Sequence, residues 1–241
     1  TLTGARGTAE KSRVARLTEL AVYLALHPGA SHLDIDDAIW PNRRSDDNTA
    51  TRHPVATRLR NWLGAADDGG EFFPRHQGSD TGYVLHDVHT DVEEWDRLIA
   101  GRPLRASSDN LTAALALVRG RPFTGQRIRY YGWADRIKQR LISEIVDASY
   151  ELGRRRYLSG EYRACEQAVT IGLEIDPGQE RLHRLRILAC HDAHDVTSRQ
   201  EAVAQLVATA EDLDCPLEPE TEDLLAALAD PARISGVRDA I

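Results

Sequence analysis

The sequence predicts a mainly α-helical protein, with an N-terminal winged helix-turn-helix carrying a small β-hairpin wing and then a tetratricopeptide-like helical array. Three observations predict this class. Three short amphipathic segments separated by stop signals fill residues 16–63. Two short apolar runs flank a polar tip over residues 71–86. From Asp91 onward, helical periodicity runs almost continuously with short breaks. The expected boundary is therefore near residue 90, with 1–90 as the winged-helix domain and 91–241 as the helical domain.

The first helix is expected over residues 16–26, where Leu17, Leu20, Val22, Leu24 and Leu26 crowd one broad face. His27-Pro28-Gly29 ends it, because the residue before proline avoids the α region and glycine takes positive φ cheaply. The second helix is expected over 33–40, with Leu33, Ile35, Ala38 and Ile39 apolar and Pro41 closing it. The third is expected from about Pro54 to Leu63, capped upstream by Thr51 and ended by Gly64. A turn cluster at residues 65–70 (AADDGG) follows. Residues 71–74 then read as a strand, 75–82 as a polar tip and 83–86 as the return strand, the position of a wing.

In the second half, Val92, Trp95, Leu98 and Ile99 lie at helical spacing behind an acidic first turn, predicting a helix over 91–99. Residues 111–118 form another, before the loop Gly120-Arg121-Pro122-Phe123. Residues 133–157 predict a long helix with Ile137, Leu141, Ile142, Ile145, Val146, Ala148 and Leu152 toward the core. A turn at Gly160 leads to a partner helix stopped by Asp176-Pro177. Residues 180–194 and 198–213 form a second pair, and 221–228 a last helix after the break at 215–219. The pairs recur at roughly 35 to 40 residues, the period of a helical repeat. Leu-Gly in helix A, Gly160 at the turn, and small Ala164 and Ala168 in helix B look like a tetratricopeptide unit; the second pair has Asp195 where a turn glycine is expected. Trp40, Trp62, Trp95 and Trp133 sit among apolar residues as core anchors.

Composition narrows the function. At 241 residues, 41% hydrophobic and 28% charged, the chain is an ordinary globular protein with room for two cores. No apolar run approaches the roughly 20 residues that cross a bilayer, and no signal peptide opens the chain. The chain opens at Thr1 and contains no Met. It is therefore expected to be a piece of a longer protein, with a tether or further domains outside it. Cys165, Cys190 and Cys215 form no close pair, which speaks against a disulfide framework or a cysteine zinc site and fits a reducing cytoplasm. The net charge is −8, and neither half is basic: 10 basic against 12 acidic side chains precede residue 90, and 20 against 26 follow. That balance opposes non-specific DNA binding by the whole molecule.

The order of these pieces resembles the Streptomyces antibiotic regulatory protein type, a winged helix fused to a bacterial transcriptional activator domain. The resemblance rests on TELAVYLALHPG, AIWP, TRLRNWLG, DVEEWDRLI, ALVRGRPF, Trp133-Ala134-Asp135 and PLEPETEDLL in shared order, and it covers essentially the whole chain. It looks closest to a branch at the cytoplasmic C-terminal end of larger actinobacterial proteins, some with transmembrane helices and a LysM module. It implies a DNA-binding transcriptional regulator, with double-stranded DNA as one partner and a protein or second protomer contacted through the helical domain. Members of the family open with strands beneath the first helix, and here Thr1-Leu2-Thr3 is left to supply them.

The third helix carries the candidate chemistry. Val55, Leu59, Trp62 and Leu63 form its core stripe, leaving His53, Thr57, Arg60 and Asn61 opposite, with Arg52 and Arg58 on the flanks. Arginine can bond guanine bidentately and asparagine can pair with adenine in a major groove. Arg43 and Arg44, just upstream, could reach phosphate. The alternative is that a short amphipathic helix always has a polar outer face, and the nearby Asp34, Asp36, Asp37, Asp46 and Asp47 favour it. In that case a degenerate winged helix serves a protein-interaction module. Residues 119–140 hold seven basic residues against Asp135, interleaved by Tyr130, Tyr131 and Trp133. They read either as a phosphate contact or as arginine–carboxylate ties between the domains. Cys190 with His194 and His191 with Asp195 have helical metal spacing, but two-residue pairs leave a zinc site incomplete. No phosphate loop, nucleophile elbow or zinc-protease helix is present, so neither an enzyme nor a cofactor is expected.

Overall fold

The computed structural model describes residues 2–41, 45–75, 82–124 and 130–229, the side chains of 45–50 excepted. Ten α-helices form among them: α1 Val14–Leu26, α2 His32–Ile39, α3 Ser45–Leu63, α4 Asp91–Ile99, α5 Ser108–Leu115, α6 Asp135–Leu158, α7 Tyr162–Ile175, α8 Glu180–Asp192, α9 Val196–Leu213 and α10 Pro219–Ala229. Two 3-10 turns, Pro103–Arg105 and Gly132–Ala134, complete the regular structure. The chain folds as two compact units. One is Thr1–Glu94 with Phe123–Arg136, and the other is Trp95–Pro122 with Ile137–Ile241.

In the first unit, α1 ends where the sequence stops it: Gly29 adopts φ +84, which an L side chain resists. Ser31 starts α2 with a reciprocal capping box, the Asp34 amide donating to Ser31 Oγ at 3.3 Å and the Ser31 amide to Asp34 Oδ2 at 2.9 Å. Leu20 and Leu24 of α1, Ile35 and Ile39 of α2, and Leu59 and Leu63 of α3 then close over Phe73 in one core. Each such side chain contributes roughly 1.5 to 3 kcal/mol by leaving water. Among the described residues, the N-terminal segment forms no strand under α1. Its Arg6 and Gly7 amides instead donate to the carbonyls of Leu63 and Trp62 at 3.1 and 2.9 Å. Gly7 has no alternative, since a Cβ there would lie 2.0 Å from the Asn61 carbonyl oxygen.

Two expectations change in this unit. The third helix is not confined to 54–63: it begins at Ser45 and carries Pro54 inside it. Pro54 is exposed, and the helix continues through it. The hairpin wing is not formed by the described residues, which contain only isolated bridges, Ala30 with Tyr83 and Ala65 with Glu71. The reason is that the backbone of Tyr83 is spent elsewhere. It accepts from the Gly29 amide and donates to the Ala30 carbonyl, both at 2.9 Å, so the would-be return strand pairs with the α1–α2 loop. The stretches 71–74 and 83–86 still meet where the His86 amide donates to the Phe72 carbonyl at 2.9 Å. The expected tip lies mostly outside the described residues, at 76–81.

Residues 130–134 attach to this unit by aromatic packing and one buried carboxylate. The Tyr131 amide donates to Glu19 Oε1 at 2.8 Å, and Arg16 donates to Glu19 Oε2 at 2.6 Å. Arg16 also lies over the Tyr130 and Trp40 rings. Trp133 meets Tyr23 edge-on at 5.0 Å. Burial raises the Glu19 pKa from its ordinary value, while the Tyr131 amide and Arg16 oppose that shift.

The second unit follows the helical pattern. The inward stripe of α6 includes Leu141, Ile142, Ile145, Val146 and Leu152, all buried. Cys165, Val169 and Leu173 of α7 and Leu182, Leu185 and Leu188 of α8 share a core with Ala202 and Leu206 of α9 and Leu224 of α10. Two glycines let helices approach closely. A Cβ at Gly153 would lie 2.7 Å from Val169 Cγ1, and one at Gly172 would lie 2.6 Å from Leu182 Cδ1. The missing turn glycine before α9 is replaced by His194, which takes φ +57, and by Asp195, which caps α9 by accepting from the Ser198 amide at 3.0 Å. No helix among the described residues is long and apolar enough to cross a membrane.

Candidate nucleic-acid interface

The candidate site is the outer face of α3. Ala56, Leu59 and Leu63 are buried and Val55 and Trp62 pack against the core, fixing the rotation of the helix about its axis. That rotation leaves His53, Thr57, Arg58 and Asn61 exposed. His53, Thr57 and Asn61 are spaced by four residues and form one row, with Arg58 beside it. Arg58 has no ion pair among the described residues.

Arg52 does not belong to this face. Only 5% of it is exposed, and its guanidinium pairs with Asp36, itself 4% exposed. The same nitrogen reaches the His32 carbonyl, so Arg52 braces α3 against α2. Asp36 Oδ1 and Arg52 Nε find no hydrogen-bond partner among the described residues, which makes the pair expensive to break and imperfectly satisfied while intact. The sequence signal was available. Asp36 falls one turn before Ile39 and Trp40 on the inward stripe of α2, and a carboxylate placed there demands a cation.

Arg60 is also largely spoken for. Its Nε donates to the Phe73 carbonyl at 2.8 Å and its Nη2 to the Pro74 carbonyl at 3.3 Å, with the guanidinium over the Phe73 ring. Burial lowers its pKa from the ordinary arginine value. Arg60 therefore holds the segment after α3 against the helix. Arg43 and Arg44 lie outside the described residues.

Several members of the remaining clusters make structural contacts. Cys165 and Cys190 are buried, and burial pushes their thiols up to about 12 and about 11. His191 Nδ1 lies 3.0 Å from Arg199 Nη1, and Asp192 accepts the Tyr157 hydroxyl proton at 2.7 Å. With Asp195 committed to its cap, no group of three His, Cys, Asp or Glu side chains among the described residues could hold a metal ion. Arg140, from the basic segment, pairs with Asp96 at 2.6 Å and with Glu144 at 3.2 Å inside the second unit. Of the described aromatics of the segment, Trp133 packs in the first unit as its apolar surroundings predict, and Tyr130 and Tyr131 join it there through Arg16 and Glu19.

No protein-family model matches the chain, and no curated protein sequence matches it either. The fold does have a solved counterpart. Mycobacterium tuberculosis EmbR, solved in complex with a low-affinity phosphopeptide, superposes with a TM-score of 0.59 at 15% sequence identity. The similarity covers 93% of this chain and 63% of that one, so the present chain spans less than two thirds of EmbR's length. At this identity the likeness is one of fold, and it extends through both units.

Proposed function

We propose that the protein is a DNA-binding transcriptional regulator module of the Streptomyces antibiotic regulatory protein type, with α3 as the helix that enters the major groove. The observation carrying this reading is the row His53, Thr57 and Asn61 with Arg58 beside it, exposed on a helix whose other face is locked in the core. Thr57 and Asn61 suit base edges, and Arg58 suits phosphate or guanine. Arg52 and Arg60 orient the helix and the segment after it rather than touching DNA. Arg43 and Arg44 remain proposed phosphate contacts. The fold shared with EmbR and the order of the sequence motifs support the same reading. The helical unit would contact a protein partner or a second protomer, and the module would work in the cytoplasm, alone or as part of a membrane-tethered chain.

Two observations favour a rival, a protein-interaction module with a degenerate winged helix. The net charge is −8, and two of the expected DNA-facing arginines are used internally. Gel-shift titration of pooled duplex fragments at low salt separates the two. Arg58→Glu should weaken binding by about tenfold or more, the effect of losing a contact of 1 to 3 kcal/mol and adding repulsion. Absence of binding by the native chain, or equal binding by the variant, would sink the proposal.

A further inference from the structure

Leu104 and Leu158 are the two most exposed large hydrophobic side chains in the described chain, at 66% and 63%. They belong to one place in the second unit. Leu104 lies in the 3-10 turn Pro103–Arg105 and Leu158 ends α6, and Arg155 of the last α6 turns ties the two elements together. Its Nη1 donates to the Ala106 carbonyl at 2.7 Å and its Nη2 to the Leu104 carbonyl at 3.2 Å. Glu151 accepts from Arg155 Nε at 2.8 Å and fixes the fork from behind. The surface is therefore held in place rather than draped.

Its charge runs against that of the molecule. Glu151 and Glu161 neutralise Arg155 and Arg156. Arg102 and Arg105, on either side of Leu104, are exposed and have no ion pair among the described residues. A chain of net charge −8 thus presents, on two elements that Arg155 joins, two exposed leucines and two guanidinium groups with no ion pair among the described residues. Apolar anchors rimmed by one sign of charge are the surface expected for a partner of the opposite sign.

We propose that the turn Pro103–Arg105 and the C-terminal turn of α6 form a docking face for an acidic, leucine-bearing amphipathic helix of a partner protein. Leucines on the apolar side of that helix would cover Leu104 and Leu158, and its carboxylates would face Arg102 and Arg105. Two anchors make a small, transient contact. The inference does not depend on the DNA reading, because every residue in it lies in the second unit.

Fluorescence anisotropy tests it with the full chain and a labelled helical peptide of about 16 residues, leucines at i, i+3, i+4 and i+7 and glutamates between. A matched peptide carries glutamine for every glutamate. The acidic peptide should bind saturably, and the glutamine peptide about fivefold more weakly or worse. Leu104→Ser with Leu158→Ser, and separately Arg102→Glu with Arg105→Glu, should each weaken the acidic peptide by about tenfold. Circular dichroism melts should match the native chain, since the altered side chains are exposed. Failure of the acidic peptide to bind, or binding unchanged by both pairs of substitutions, overturns the proposal. Sedimentation velocity adds a third outcome. If the unliganded chain self-associates and the leucine substitutions abolish it, the face joins two copies of this chain and the assignment to a different protein is wrong.

Discussion

Arg52 and Arg58 lie six residues apart on one helix and do opposite things. Arg52 sits against Asp36 in the core, where each charge needs the other, while Arg58 reaches solvent with no ion pair among the described residues. Removing one member of a buried pair strands its partner, so Arg52→Ala should lower stability by about 3 kcal/mol or more in urea unfolding. Replacing both, as Arg52→Met with Asp36→Leu, should cost much less, because neither charge is left buried. Glu19 makes a pH prediction of the same kind. Burial, the largest cause, raises its pKa above 4.5, so the folded state holds this proton more tightly than the unfolded chain does. Its contribution therefore favours folding below the unfolded value, declines as pH rises from 4.5 through the raised folded value, and is level above that. Glu19→Gln should abolish that decline in urea titrations across the acid range. A decline that persists unchanged in the variant would contradict the assignment.

At the scale of elements, close helix packing rests on absent side chains. Gly153→Ala would drive a methyl into Val169 and Leu185, and Gly172→Ala would drive one into Leu182 and Ser149. Each should destabilise the second unit by about 1 to 3 kcal/mol, read as a lowered thermal midpoint, although alanine is the better helix former. The helices of this unit were legible because each buries a stripe at helical period between clear stops: α7 ends at Ile175 before Asp176-Pro177, and α8 begins at the expected Glu180. The first unit was legible only in part. Pro54 read as a helix start, yet α3 passes through it. The strands at 71–74 and 83–86 read as a hairpin from their local pattern, but the pairing of Tyr83 is decided by the distant α1–α2 loop. Leu33 counted as apolar in the expected second helix and is 56% exposed, because the inward stripe runs through Ile35, Asp36 and Ile39 instead. Of the candidate site, His53, Thr57 and Asn61 could be read from their spacing, but Arg60, expected beside them, turns to the Phe73 and Pro74 carbonyls, and Arg52, expected on the flank, turns to Asp36; both depend on tertiary partners, although Asp36 gave a hint.

Across the whole molecule, acidic groups outnumber basic ones, and α3 itself is thinly basic. Such a protein gains little from the diffuse attraction that delivers basic domains to DNA, so the proposed DNA contact has to rest on a local footprint. A footprint of few phosphate contacts also predicts a shallow salt dependence, with the logarithm of the binding constant falling by about 0.9 per contact per logarithm of salt. The most direct measurement is amide chemical-shift mapping of the full chain against a duplex it binds, repeated at two salt concentrations. Shifts concentrated at His53, Thr57, Arg58 and Asn61, and diminished at the higher salt, are the result predicted here. Shifts confined to the second unit, or none along α3, would contradict the assignment of that helix to DNA.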